Sequence, residues 1–237
     1  MSETFAPNER SRIRRLQQIG SHDKARIFHV LDSSLVCHVG YVIDGQPYVT
    51  PTSFWRIGER LYWHGSSASR MLRSQMEGLP VCLSVVHLDG IVVARSGFNS
   101  SINYRSVMAF GMASEIADGP ERLAALDAFV ERLLPGHGRE FRPPHPQEIK
   151  ATAVIAMTIE EASLKESTGP PNDEPEDYAF PVWAGVVPVS QVIGPAEADP
   201  RLIPGTDLPQ ALRAYHPGEK LDDVLRAIHP ERRLSRE

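Results

Sequence analysis

Residues 34–64, SLVCHVGYVIDGQPYVTPTSFWRIGERLYWH, decide the fold. From Leu35 to Ile43 the residues Leu35, Cys37, Val39, Tyr41 and Ile43 alternate with Val36, His38, Gly40 and Val42. A period of two is the spacing of a strand, not of a helix. Asp44-Gly45 is a hairpin dipeptide, because both residue types tolerate the positive φ of a tight reversal. Pro47–Ile57 then reads as a second strand, and Gly58-Glu59 turns the chain into a third at Leu61–His64. Pro51 lacks the N–H that a ladder needs, so the second strand is expected to be an edge or to break at residue 51. The pattern is an antiparallel meander.

Upstream, Glu9–Gln18 places Ile13 and Leu16 on one side of a short helix whose four arginines read as a solvated face. A cap at residues 21–23 precedes a second helix, Lys24–Leu31. Downstream, Ser66–Glu77 carries Met71, Leu72 and Met76 at helical spacing and stops at Gly78. Pro80–Val86 and Gly90–Arg95 read as strands around a Leu88-Asp89-Gly90 turn, and Tyr104–Ile116 as one long strand. Asp118-Gly119-Pro120 opens a helix with Leu123, Leu126, Val130, Leu133 and Leu134 on one face. Ala151–Ile159 reads as the last core strand. The expected class is mainly β with flanking helices: a closed or nearly closed antiparallel barrel of six or so strands. Residues 1–33 form a helical lead-in and 34–165 the barrel. Residues 166–237 form a proline-rich linker (TGPPNDEP) and an extension over the barrel or a partner subunit.

The chain has 237 residues, 41% apolar and 23% charged, with a net charge of −5. That is ordinary globular composition, and the acidic balance argues against a nucleic-acid coat. No apolar run approaches the ~18 residues of a membrane span, and the N-terminus has no signal-peptide pattern, so a cytoplasmic location is expected. Cys37 and Cys82 are too few and too far apart for a disulfide framework or a metal quartet. No nucleophile elbow, Walker loop, dinucleotide fingerprint or zinc-protease motif occurs. An enzyme without such signals can still work where a cofactor brings the reactivity.

One turn is suited to hold it. Gly65-Ser66-Ser67-Ala68-Ser69-Arg70 joins a strand to a helix; small residues admit a phosphate, and the helix start and Arg70 offer donors. Asn103-Tyr104-Arg105-Ser106 opens the long strand and places Arg105 and Ser106 on opposite faces.

Trp63–Arg73 (WHGSSASRMLR), Pro80–Asp89 (PVCLSVVHLD), Asn103–Gly111 (NYRSVMAFG) and Lys165–Gly185 (KESTGPPNDEPEDYAFPVWAG) together resemble the pyridoxamine-phosphate-oxidase-related flavoproteins. The branch they resemble includes nitroimidazole-resistance proteins. The resemblance implies a split β-barrel, FMN on a homodimer, and redox chemistry on a small organic molecule with NADH or NADPH as donor. It implies that Ser66, Ser67, Ser69 and Arg70 hold the FMN phosphate and that Arg105 and Ser106 approach the flavin. Pro51 and Thr52 border its ring, His64 lies near it as the candidate catalytic side chain, and Trp183 covers the ring or packs the tail. Two departures stand out. Met71 occupies a position where relatives carry a second cation, and Asn99 and Ser100 stand where relatives often carry histidines. The second departure leans towards the alternative, a flavin- or haem-binding protein without turnover.

Overall fold

The period-two runs of the sequence all join one sheet. The computed structural model describes residues 3–136, 142–229 and 231. In chain order the elements are Gly20–Ser21 (β1), Lys24–Leu31 (α1), Val36–Ile43 (β2), Gln46–Ile57 (β3), Arg60–Ser66 (β4), Arg70–Gln75 (α2) and Leu79–Val93 (β5). Then come Ser101–Glu115 (β6), Pro120–Leu133 (α3), Pro146–Ala151 (α4), Thr152–Thr158 (β7), Glu161–Ser167 (β8), Gly185–Pro188 (β9) and Leu221–Ala227 (α5). The strand order is β1-β8-β6-β7-β4-β3-β2-β5-β9, and β5 also pairs β6. That last pairing closes six strands, β6-β7-β4-β3-β2-β5, into an antiparallel split barrel.

The interior is apolar. Leu61 and Trp63 from β4, Cys37 and Val39 from β2, Leu83 from β5 and Leu164 from β8 are fully buried there. The one polar atom of Trp63 is satisfied, since its Nε1 donates to Gln75 Oε1 at 3.0 Å. Asp44 and Gly45 reverse the β2–β3 hairpin at φ 51° and 77°. Asp23 caps α1 by accepting from the Arg26 N–H at 2.8 Å.

Several expectations are corrected. Glu9–Gln18 is not a helix: Leu16 adopts φ 55° and a short 3-10 turn follows at Gln17–Ile19. Arg10 instead pairs with Glu161 (2.5 Å) and Glu160 (3.3 Å), so ion pairs distant in sequence replace helix bonds. Of the two alternatives for Pro51, the edge holds and the break does not. β4 pairs β3 only over Phe54–Ile57, so residue 51 has β2 on one side alone, and the missing N–H costs no ladder bond. Pro80–Val86 and Gly90–Arg95 are one strand, β5, with a bulge at Asp89. α3 buries Arg122, Ala125 and Arg132, while Leu123 faces solvent. β8 was not expected: its EASLKES sequence is short and polar, but it pairs β6 from Tyr104↔Ser167 to Phe110↔Glu161.

The C-terminal segment is fixed to the barrel of its own chain. β9 pairs Gly90–Val93 of β5, and the Tyr215 hydroxyl donates to the Leu133 carbonyl at 2.7 Å. Buried Arg132 donates to the carbonyls of Leu225 (2.8 Å) and Asp32. Arg56 grips the Asp32 carboxylate with two bonds of 2.8 and 2.7 Å and adds Glu231 at 2.7 Å. His229 Nε2 lies 3.3 Å from Asp32 Oδ1.

Candidate functional site

The turn after β4 is built by its own backbone. Ser67 N–H donates to the Ala151 carbonyl and Ser69 N–H to the Ser66 carbonyl, both at 2.8 Å. The Ser66 hydroxyl accepts from the Ala68 N–H at 3.2 Å. Ser69 is the N-cap of α2, yet its hydroxyl makes no capping bond. α2 has only six residues, so the cradle rests on hydroxyls and guanidinium groups more than on a helix dipole. Arg70 is exposed; its guanidinium lies 4.6 Å from the Tyr48 ring centroid, and among the described residues no carboxylate pairs with it. Met71 turns inward and is buried. The second cation comes two residues later: Arg73 Nε donates back to the Ser67 carbonyl at 3.3 Å. Sequence reasoning missed Arg73 because it sought an adjacent pair, whereas one turn of helix brings residue 73 over residue 69.

Strand alternation sorts the remaining candidates by face. Phe54 lies in the barrel core, so Thr52 on the same parity faces the interior and Pro51 faces outward. On β4, Trp63 is interior, which sends His64 outward with Tyr62 and Ser66. Ser106 is outward, opposite Val86 and Lys165, and Arg105 shares the opposite parity with the core residue Val107. Thus Pro51, His64, Ser66 and Ser106 share the outer face of the sheet; Thr52 and Arg105 do not. Pro51 pairs with His38 on β2, and His38 pairs with Ser84 on β5. His38 is exposed and was also missed, although counting outward from Asp44-Gly45 places it opposite Pro51.

His64 packs its ring between Trp55 (5.7 Å) and Phe129 (4.6 Å). Its Nδ1 is buried and has no hydrogen-bond partner. Burial pushes its pKa below the ordinary value, so the ring is neutral at pH 7. Arg105 is not free to take a phosphate: it holds Asp89 with bonds of 2.8 and 2.6 Å and Asp222 at 3.0 Å. Hydrogen bonds to Asp89, the larger influence, and to Asp222 raise its pKa further. Trp183 lies 66% exposed against Gly185, where an added Cβ would come within 3.0 Å of the indole. Ser100 ties its own loop, its hydroxyl accepting from the Ala94 N–H at 3.0 Å and donating to the Ser96 carbonyl at 3.3 Å. Cys37 and Cys82 are both free; burial pushes the Cys37 thiol up to about 12, which makes it inert.

Residues 23–166 match the family model described as pyridoxamine 5'-phosphate oxidase. Among solved structures, the flavocytochrome Anf3 from Azotobacter vinelandii is 44% identical, with a TM-score of 0.85 over 90% of this chain and 99% of that one. The FAD and haem binding protein from Mycobacterium smegmatis is 40% identical, with a TM-score of 0.81 over 86% of this chain and 98% of that one. A candidate 5-nitroimidazole antibiotic resistance protein from Bacteroides thetaiotaomicron is 22% identical, with a TM-score of 0.51 over 62% of this chain and 86% of that one, and shares the fold. No curated protein matches.

Proposed function

This chain belongs to the pyridoxamine 5'-phosphate oxidase family, and on that premise we propose that it is a flavin-dependent redox protein that also carries a haem. The observation that carries the flavin is the Ser66–Arg70 turn, with a Ser69 hydroxyl that makes no capping bond and, among the described residues, a guanidinium with no carboxylate partner, at the rim of the outer sheet face. The nucleotide is FAD, by likeness to the Mycobacterium smegmatis protein; FMN would place its phosphate on the same turn. Adjacent strands lie about 4.8 Å apart, so a ring tethered at β4 reaches across Pro51 on β3 towards His38 on β2. Arg70 and Arg73 offset the phosphate charge, and Pro51 presents no N–H to the ring.

The haem reading rests on His64. A neutral imidazole with an orphaned ring nitrogen between Trp55 and Phe129 would hold a haem iron better than it would carry a proton. A flavin held on this turn would supply two-electron chemistry towards a reduced nicotinamide donor, NADH or NADPH, and a haem held by His64 would supply one-electron chemistry. Asn99 and Ser100 offer no titratable group, which favours electron transfer over an oxidase that relays protons at that loop. Val36, Val86, Met108 and Met112 expose an apolar outer face on β2, β5 and β6 that fits a second copy of the chain. Among the described residues, no helix is long and apolar enough to cross a membrane. The cytoplasm is the expected compartment.

The test is the absorption spectrum of the purified protein, followed by release and chromatography of its cofactors. FAD and haem together are expected; absence of both, with no uptake of either when added, overturns the reading. Arg70→Ala weakens flavin binding about tenfold through one lost charged contact. His64→Ala removes the haem Soret band and leaves the flavin in place. A His64→Ala protein that keeps an unchanged Soret band refutes the axial assignment.

A further inference from the structure

Six cations lie over aromatic rings among the described residues, and five of them also hold a carboxylate. Arg10 pairs with Glu161, Lys24 with Glu59, Arg56 with Asp32, Arg60 with Glu121 and Arg95 with Asp173. Arg70 is the exception. Its guanidinium carbon lies 4.6 Å from the Tyr48 ring centroid, and among the described residues its side chain has no carboxylate partner and no hydrogen bond.

The ring beneath it is fixed. Tyr48 sits opposite Tyr41 in the β2–β3 hairpin, and the two rings stack at 5.5 Å with 16° between their planes. Tyr41 is buried, and its hydroxyl lies 3.0 Å from Thr50 Oγ1. β4 pairs β3 only over Phe54–Ile57, so the hairpin end of β3 is paired by β2 on one side alone. Arg70, the first residue of α2, meets Tyr48 at that open end. Thr50, Tyr41, Tyr48 and Arg70 thus form one row from the sheet to the turn.

A ring and a carboxylate hold a guanidinium with different consequences for an anion. A carboxylate occupies the N–H donors that a phosphate needs and cancels the charge that attracts it. An aromatic face attracts the cation through its quadrupole, carries no net charge and leaves the donors at the guanidinium edge free. A long side chain held in place beforehand also loses less rotamer freedom when the ligand arrives.

We propose that Tyr48 is a positioning residue for the flavin phosphate, its ring holding the Arg70 guanidinium at the turn with every donor left for the anion. The inference rests on the placement of that phosphate at the Ser66–Arg70 turn and adds to it a side chain from another strand, which acts through Arg70.

The test is a double-mutant cycle on FAD affinity, read from the fluorescence of flavin released as the purified holoprotein is diluted. Tyr48→Leu should weaken FAD binding about fivefold, the worth of one exposed cation–π contact. Tyr48→Phe keeps the ring and should bind FAD as the unaltered protein does. In an Arg70→Ala background Tyr48→Leu should cost nothing further, whereas general damage to the barrel would weaken FAD equally in both backgrounds. If Tyr48→Leu does not fold, Tyr48→Val makes the same test with a residue suited to a strand. Where Arg70→Ala weakens FAD, three results overturn the Tyr48 proposal alone: unchanged affinity in the folded Leu or Val variant, a loss in Tyr48→Phe equal to that in Tyr48→Leu, or the same loss in both backgrounds. Unchanged FAD affinity in Arg70→Ala overturns the placement of the phosphate and the role of Tyr48 with it.

Discussion

The barrel and the C-terminal segment are held by different physics. Inside the barrel, Leu61, Trp63, Leu83 and Leu164 bury apolar surface, and neighbouring strands satisfy the backbone. The C-terminal segment has a small apolar cluster of its own, Val224, Leu225 and Ile228. Apart from the β9 ladder, its attachment runs through charged side chains: Asp222 with Arg105, Glu231 with Arg56, His229 beside Asp32, which Arg56 holds, and Arg132 on the Leu225 carbonyl. Apolar burial is non-directional and tolerates small shifts. A buried ion network has little tolerance, because removing one member leaves its partner desolvated and unpaired. The barrel is therefore expected to fail as a whole, and the segment to detach by itself.

The largest effect should come from the barrel. Trp63→Ala removes a fully buried indole and strands Gln75, at a cost of about 3–5 kcal/mol. Chemical denaturation should show one transition moved to lower denaturant. A second transition with the first unmoved would mean that the barrel is not one cooperative unit.

Asp32→Asn comes next, at about 3 kcal/mol for a broken buried pair. Its signature should be local: hydrogen exchange in α5 rises while amides in β2, β5 and β6 stay protected. Uniform loss of protection would erase the distinction between the two regions.

The smallest effect is with pH. Burial pulls the pKa of His229 below its ordinary 6.5; Asp32 opposes that shift, and Arg132 and Arg56 reinforce it. The native state thus favours the neutral ring. Its contribution is complete above the unfolded value and is lost as pH falls from there through the folded value. Protection of α5 should decline on acidification below about pH 6.5, and His229→Gln should flatten that decline. An unchanged slope in His229→Gln would assign the acid response to His64 or His87, whose pKa values burial also lowers.

The same contrast explains what the sequence disclosed. Strands packed by alternation announce themselves, so β2, β3, β4 and β6 were legible, and the Asp44-Gly45 turn set the hairpin register. The Ser66–Arg70 turn was legible as a strand-to-helix junction, because serines commonly precede a helix start. Contacts made by charge at long range leave no period. Nothing local in Arg10, Arg105 or Arg132 names Glu161, Asp89 or the carbonyl of Asp32 as its partner. That is why the first was read as part of a helix, the carboxylate partners of the second went unforeseen, and the third was not read at all.

The bulge at Asp89 has a further consequence for β5. Before it, the odd residues Val81, Leu83 and Val85 are buried; after it, the even residues Gly90 and Val92 are. One extra residue thus resets the phase of a strand that serves three neighbours, β6 along its length, β2 before the bulge and β9 after it. Deleting Asp89 would take out the spacer and leave both halves in phase, because Leu88 and Gly90 already face consecutive residues of β6. Ile91 would stay outward and Val92 inward, the local bend would be lost, and Arg105 would lose the carboxylate that holds it.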